Sequence, residues 1–157
     1  MLRKLLIALI LLSFSFSGKA QLHPLNEATV DIIGHSLGAG FTYRRTLDVS
    51  YLNHWHGFVS VGATNGMISN YVGFGYRYGD EYAIEFEALA GYNSLFGRRL
   101  EKDDPNAIRN GISFGGHVNL GAFSFDHYSA RVMIGYHHFQ DGYPQFILGM
   151  QVGRFFD

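Results

Sequence analysis

Four groups of residues in this 157-residue chain have types and spacing that could do chemistry. Gly34-His35-Ser36-Leu37-Gly38 has the G-x-S-x-G spacing of a nucleophile elbow, in which a sharp strand-to-helix turn presents a serine hydroxyl to an acyl carbon. His127-Tyr128-Ser129 followed by Asp141 supplies the three parts of an acyl-transfer set: an imidazole to take the serine proton, the serine itself, and a carboxylate to orient the imidazole. His54 and His56 sit at i, i+2, so on a strand they share a face, and imidazole suits Zn, Cu or Ni. Adjacent His137 and His138 point to opposite faces of a strand and do not ligate together. Glu85 and Glu87 also share a face, and a carboxylate pair is the equipment of glycoside hydrolysis.

Each group depends on the elements that would carry it. The elbow needs a buried strand before the serine and a helix after it. If the mature chain starts at Gln21, only 13 residues precede Gly34, and Phe41-Thr42-Tyr43-Arg44-Arg45 is a poor helix. A glycine-flanked hairpin turn explains the same five residues. No segment after residue 20 sustains a 3.6-residue period, whereas in-out alternation of apolar and polar residues runs to the end of the chain. Eight runs of roughly 9–11 residues are predicted as strands, which is the pattern of a small transmembrane β-barrel. They are Ala28–Ser36, Gly38–Leu47, Trp55–Ala63, Tyr71–Tyr78, Tyr82–Tyr92, Gly111–Gly121, Tyr128–Phe139 and Phe146–Phe156. In the fifth, Tyr82, Ile84, Phe86, Ala88, Ala90 and Tyr92 share one face and Glu85, Glu87 and Gly91 the other. In the last, Phe146, Leu148, Met150 and Val152 oppose Gly149, Gln151 and Gly153.

The fold expected is therefore all-β: an eight-stranded antiparallel up-and-down transmembrane barrel behind a cleaved signal peptide. Residues 1–20 form the expected signal, with basic Arg3 and Lys4, an apolar run from Leu5 to Leu12, and small Gly18 and Ala20 at −3 and −1. Residues 21–157 form the barrel. Removing the signal's three basic residues from the twelve leaves nine against thirteen acidic ones, a formal charge of −4. No basic stripe remains for nucleic acid. Without cysteine there is neither a disulfide framework nor an acylated-cysteine anchor. An even strand count places both termini in the periplasm, the turn Gly79-Asp80-Glu81 on that side, and the long connection Asn93–Asn110 outside. Asp48–His54 is expected as a periplasmic connection anchored by Tyr51, Leu52 and Trp55. Glu85 and Glu87 then face a lumen shared with Arg77 and Arg131, and also with Arg44 and Asp31, as a hydrogen-bonded plug of ion pairs.

The chain resembles the small outer-membrane β-barrel proteins common in Bacteroidetes. The residues that carry the likeness are Lys19-Ala20-Gln21, Val30-Asp31-Ile32-Ile33-Gly34 leading to Phe41-Thr42-Tyr43-Arg44-Arg45, and Gly135-Tyr136-His137-His138-Phe139-Gln140 through Gly149 to Phe156. That resemblance implies a fold and a membrane rather than a reaction, with the outer-membrane lipid and the barrel assembly machinery as partners and no cofactor. His127-Tyr128-Ser129 with Asp141 is similar to the His-x-Ser pair and later acid of the outer-membrane lipid A deacylases, also eight-stranded barrels. Ala130 stands where those proteins carry asparagine, and the acid is aspartate rather than glutamate. In the topology above, His127 begins a strand at the periplasmic end while Asp141 lies outside, about 30 Å away. Against the triad stands a strand-start histidine beside a solvated serine.

Three readings follow. The first is a non-enzymatic outer-membrane barrel with a structural, adhesion or small-ligand role carried by its extracellular loops. The second is a lipid A deacylase-like esterase in the same fold. The third is a soluble periplasmic β-barrel that binds an apolar ligand inside, as lipocalin-like barrels do.

Overall fold

A computed structural model describes residues 26–35, 38–64, 66–95, 111–124, 128–140 and 144–157. Eight strands carry almost all of them: β1 (Asn26–Ile32), β2 (Ala39–Ser50), β3 (Asn53–Thr64), β4 (Met67–Gly79), β5 (Tyr82–Leu95), β6 (Gly111–Ser124), β7 (Tyr128–Phe139) and β8 (Pro144–Phe156). Each pairs antiparallel with the next, and β8 returns to pair with β1, so the sheet closes as a barrel without a free edge strand. Residues 1–20, expected as a signal, lie outside the described residues.

The period-two alternation decides what each face meets. Along β7, Ser129, Arg131, Met133, Gly135, His137 and Phe139 point inward, while Tyr128, Ala130, Val132, Ile134 and Tyr136 point out. The polarity is inverted relative to a barrel that dissolves in water. Leu120, Ile134 and Leu148 are 64%, 63% and 67% exposed, whereas Glu85, Arg131 and Gln151 are buried. Exposed Tyr51, Trp55, Tyr78, Tyr82 and Tyr128 gather near the end that holds the tight turns, and Tyr92 and Tyr136 near the other. This is the girdle arrangement of a membrane-spanning barrel, with an aliphatic band between. The third reading required apolar side chains inside. Here the apolar face is outside and the lumen centre is filled by charged and amide side chains.

Two small apolar layers bracket that centre. Phe58, Tyr71 and Leu89 close it toward the Met67 end of β4, and Ala83, Phe123 and Phe155 close it toward the chain termini.

Several boundaries differ from the sequence-based expectation. Asp48–His54 is not a loop: β2 runs to Ser50, β3 starts at Asn53, and only Tyr51 and Leu52 turn the chain. Tyr51 takes a left-handed backbone (φ 51°), and a bulge at Leu47 absorbs one residue between Thr46 and Asp48. The Gly79 N–H donates to the Leu52 carbonyl at 2.9 Å, tying this turn to its neighbour. Asn93 is not loop either. It lies in β5, buried, accepting a hydrogen bond from Tyr71 Oη at 2.9 Å and donating to Ser113 Oγ at 2.8 Å.

The largest difference is at β1, which stops at Ile32 rather than reaching residue 36. Ile33 adopts φ 55°, an uncommon conformation for a β-branched residue, and the Gly34 N–H then bonds the Gly38 carbonyl at 3.2 Å. This backbone sends the His35 ring inside, fully buried. β8 continues past its last β1 partner, Met150, to Pro144, and the Ile33 carbonyl takes the place a Cβ would occupy on Gly149.

Candidate functional site

The only dense gathering of functional groups among the described residues is this lumen plug, and it has two centres. Register brings their members together from distant segments. Arg77 of β4 pairs across the wall with Glu85 of β5, and Glu85 in turn with Asn119 of β6. Because inner-face residues alternate, Glu85 and Glu87 sit one above the other, each at the heart of one centre.

In the first centre Glu85 receives Arg77 Nε at 2.6 Å on one oxygen and Arg131 Nε at 2.7 Å on the other. Arg131 also grips Glu27 with both terminal nitrogens, at 2.5 and 2.6 Å. Arg77 Nη2 lies 3.6 Å from Glu27. The two guanidinium carbons stand 4.1 and 4.6 Å from the centroid of the Phe123 ring, whose face favours cations. Buried charges are tolerable only when paired and hydrogen-bonded, and here every one is.

The second centre surrounds Glu87. One carboxylate oxygen accepts from Arg44 Nε and His56 Nε2, both at 3.1 Å. The other lies 2.7 Å from His35 Nε2 and 2.7 Å from Asn119 Nδ2. Arg44 Nη2 donates to the Gln151 amide oxygen at 2.6 Å, which turns the amide nitrogen toward His35 Nδ1 at 2.8 Å. His35 Nδ1 is therefore an acceptor and Nε2 carries the proton given to Glu87. Thr42 Oγ1 donates to Asp31 Oδ2 at 2.8 Å, and that oxygen is 3.8 Å from His35 Nδ1. His117 completes the group, with Nε2 2.8 Å from His137 Nε2 and Nδ1 3.9 Å from Glu87. Gly135 makes room for it: a Cβ there would sit 2.2 Å from His117 Cδ2.

The candidates drawn from sequence fall unevenly on this picture. Glu85, Glu87, Arg77 and Arg131 are all in the plug. Their carboxylates are saturated by arginine, histidine and asparagine, an arrangement that holds strands together and leaves neither acid free for a glycoside. His54 and His56 both face the lumen, but only His56 reaches Glu87. Ser129 is not solvated. It is buried, its hydroxyl donates to Glu27, and it accepts from Arg131 Nη1 at 3.0 Å. His127, Asp141 and Ser36 lie outside the described residues.

Sequence reasoning left Glu27 and His35 out of the plug, while His117 and Asn119 fall on the polar inner face that alternation gives the sixth run, without named partners. Carrying the period two back from Asp31 through Thr29 reaches Glu27, so that signal was present. The same period carried forward from Asp31 reaches His35, which is buried although β1 has ended at Ile32.

No family model matches the chain, and no curated protein matches it. Among solved structures, the outer membrane protein Ail of Yersinia pestis, whose backbone structure was determined in a phospholipid bilayer nanodisc, is similar to this chain at 10% identity. The likeness spans 85% of this chain and 99% of that one, with a TM-score of 0.48.

Proposed function

We propose that this protein is a non-enzymatic bacterial outer-membrane β-barrel, of the small kind its sequence resembles, whose outward loops carry a structural, adhesion or small-ligand role. The observation that carries the reading is the inverted polarity of a closed barrel: aliphatic and aromatic side chains outside, a paired charged plug inside. A closed barrel satisfies every strand hydrogen bond internally, which is the condition for crossing hydrocarbon. Paired side chains fill the centre of the lumen, which supports an anchoring wall over a pore. Hydrolysis through Ser129 finds no support, since its hydroxyl is engaged by Glu27 and Arg131 on the face away from lipid.

Cell fractionation tests the reading. The mature chain is expected in the outer-membrane fraction, extracted only by detergent, with a gel mobility that changes on boiling as the barrel unfolds. Recovery as a detergent-free soluble species refutes it.

A further inference from the structure

The Glu87 centre carries more nitrogen donors than its ion pairs use. His35, Glu87 and His117 each present one ligand atom, these lie within 4.8 Å of one another, and all three residues are buried. His117 Nδ1 makes no hydrogen bond, although its side chain is fully enclosed and the atom faces Glu87 at 3.9 Å. A buried imidazole nitrogen that faces a carboxylate without a hydrogen bond is unfavourable, and a cation between them satisfies both. Charge points the same way. Among the described residues the buried acids are Glu27, Asp31, Glu85 and Glu87, and the buried arginines are Arg44, Arg77 and Arg131. The acids outnumber the arginines by one, a balance met by a proton on a histidine or by a bound cation.

We propose that His35, Glu87 and His117 form a binding site for one divalent first-row transition ion of the Zn²⁺ kind. Two imidazoles and a carboxylate are the borderline donor set such ions take, and three protein ligands leave a fourth position for water. Bonds of about 2.0–2.2 Å require donor separations within a few tenths of an ångström of 3.4 Å, roughly midway between the present 2.7 Å and 3.9 Å contacts to Glu87. The ion takes the place of the proton on His35 Nε2. That proton moves to Nδ1, which gives up the contact with the Gln151 amide and turns to Asp31 Oδ2, 3.8 Å away, while Asn119 keeps its bond to Glu87. Outer partners lie nearby. His117 turns its other nitrogen to His137 at 2.8 Å, and Asp31 Oδ2 lies 3.8 Å from His35 Nδ1 as the acceptor its N–H needs. Such partners fix the tautomer and the ring orientation of metal-bound histidine.

The test uses the mature chain refolded into detergent micelles with Zn²⁺ as the only added metal, then dialysed against metal-free buffer. Wild type is expected to retain about one Zn²⁺ per chain, since the site has one set of three donors. His35→Ala and His117→Ala are expected to lose it, and His138→Ala, on the outer face, to keep it. Folding of each variant is read from the mobility shift on boiling. Should His117→Ala not fold, His117→Gln, which keeps a polar amide in the lumen, is expected to fold and still lose the ion. Refolding with Co²⁺ gives a second readout, a visible ligand-field absorption present in wild type and absent from the His117 variant. Folded wild type that retains no Zn²⁺ overturns the site. So does folded His35→Ala or His117→Gln that retains as much as wild type, or loss of the ion in folded His138→Ala.

Discussion

Arg131 and Glu27, 104 residues apart in sequence, meet as a two-pronged pair inside the barrel, with Nη1 to Oε1 at 2.5 Å and Nη2 to Oε2 at 2.6 Å. The pair joins the first strand to the seventh across the lumen, beside the seam where β8 closes on β1. Removing either partner leaves the other charged, buried and short of hydrogen bonds, since Arg131 keeps Glu85 alone as its carboxylate and Glu27 keeps Ser129 and, at 3.6 Å, Arg77. Glu27→Ala should therefore cost about 3–5 kcal/mol of barrel stability, read from urea unfolding in micelles. Arg131→Met combined with Glu27→Leu should cost much less than the two single changes added together, because the double change strands no charge at this pair. Additive costs would mean the two side chains act independently.

Phe86 stands between Glu85 and Glu87 on β5 and is 49% exposed while both neighbours are buried. In a bilayer its ring meets lipid. Phe86→Arg should cost ~2–4 kcal/mol near the midplane. The measurement is unfolding free energy in vesicles, with Phe86→Leu as the control expected to change little. An arginine at 86 tolerated in the bilayer would place that face against something other than lipid.

How far the chain could be read follows from how local each feature is. Alternation of Glu85, Phe86 and Glu87 is visible within five residues, and eight such runs suffice for a closed antiparallel barrel. Partners of the same side chains are another matter. Arg44 finds Gln151 at a separation of 107 residues and His35 finds Glu87 at 52, and those meetings depend on register and barrel diameter, which no short window contains. The end of β1 is hidden for a different reason. Ile32-Ile33 reads as continuing strand, and the left-handed backbone at Ile33 is held by its seat on β8 rather than by its own preference. At Asp48–His54 the polar residues suggested a connection, and the bulge at Leu47 let the ladder continue through them.

That seat yields a third prediction. A Cβ on Gly149 would lie 1.6 Å from the Ile33 carbonyl oxygen and 3.0 Å from Met133 Cγ, and a backbone carbonyl does not swing aside as a side chain does. Gly149→Ala should push the β1–β2 turn off the wall and destabilise the barrel by about 1–3 kcal/mol. Amide exchange reports it directly. The Gly34 N–H, bonded to the Gly38 carbonyl, should exchange faster in the variant while amides in the middle of β5 stay protected. Unchanged protection at Gly34 would show that the turn does not rest on β8.

The acyl-transfer candidates give the last prediction. Ser129 is held inside the plug, donating to Glu27 and accepting from Arg131, so its Oγ faces charge and not an ester. Ser129→Ala should remove those bonds and cost about 1–3 kcal/mol, because Glu27 and Arg131 are left under-satisfied in a buried site. It should leave chemistry untouched. Lipid A from cells producing wild type, Ser129→Ala, Ser36→Ala or no protein should give the same acyl-chain pattern by mass spectrometry. A working triad loses turnover by several orders of magnitude when its serine is removed, so the two outcomes do not overlap. Deacylated lipid A in wild type that disappears in folded Ser129→Ala would make this barrel an esterase, and would require the lumen around Glu27 to open to lipid.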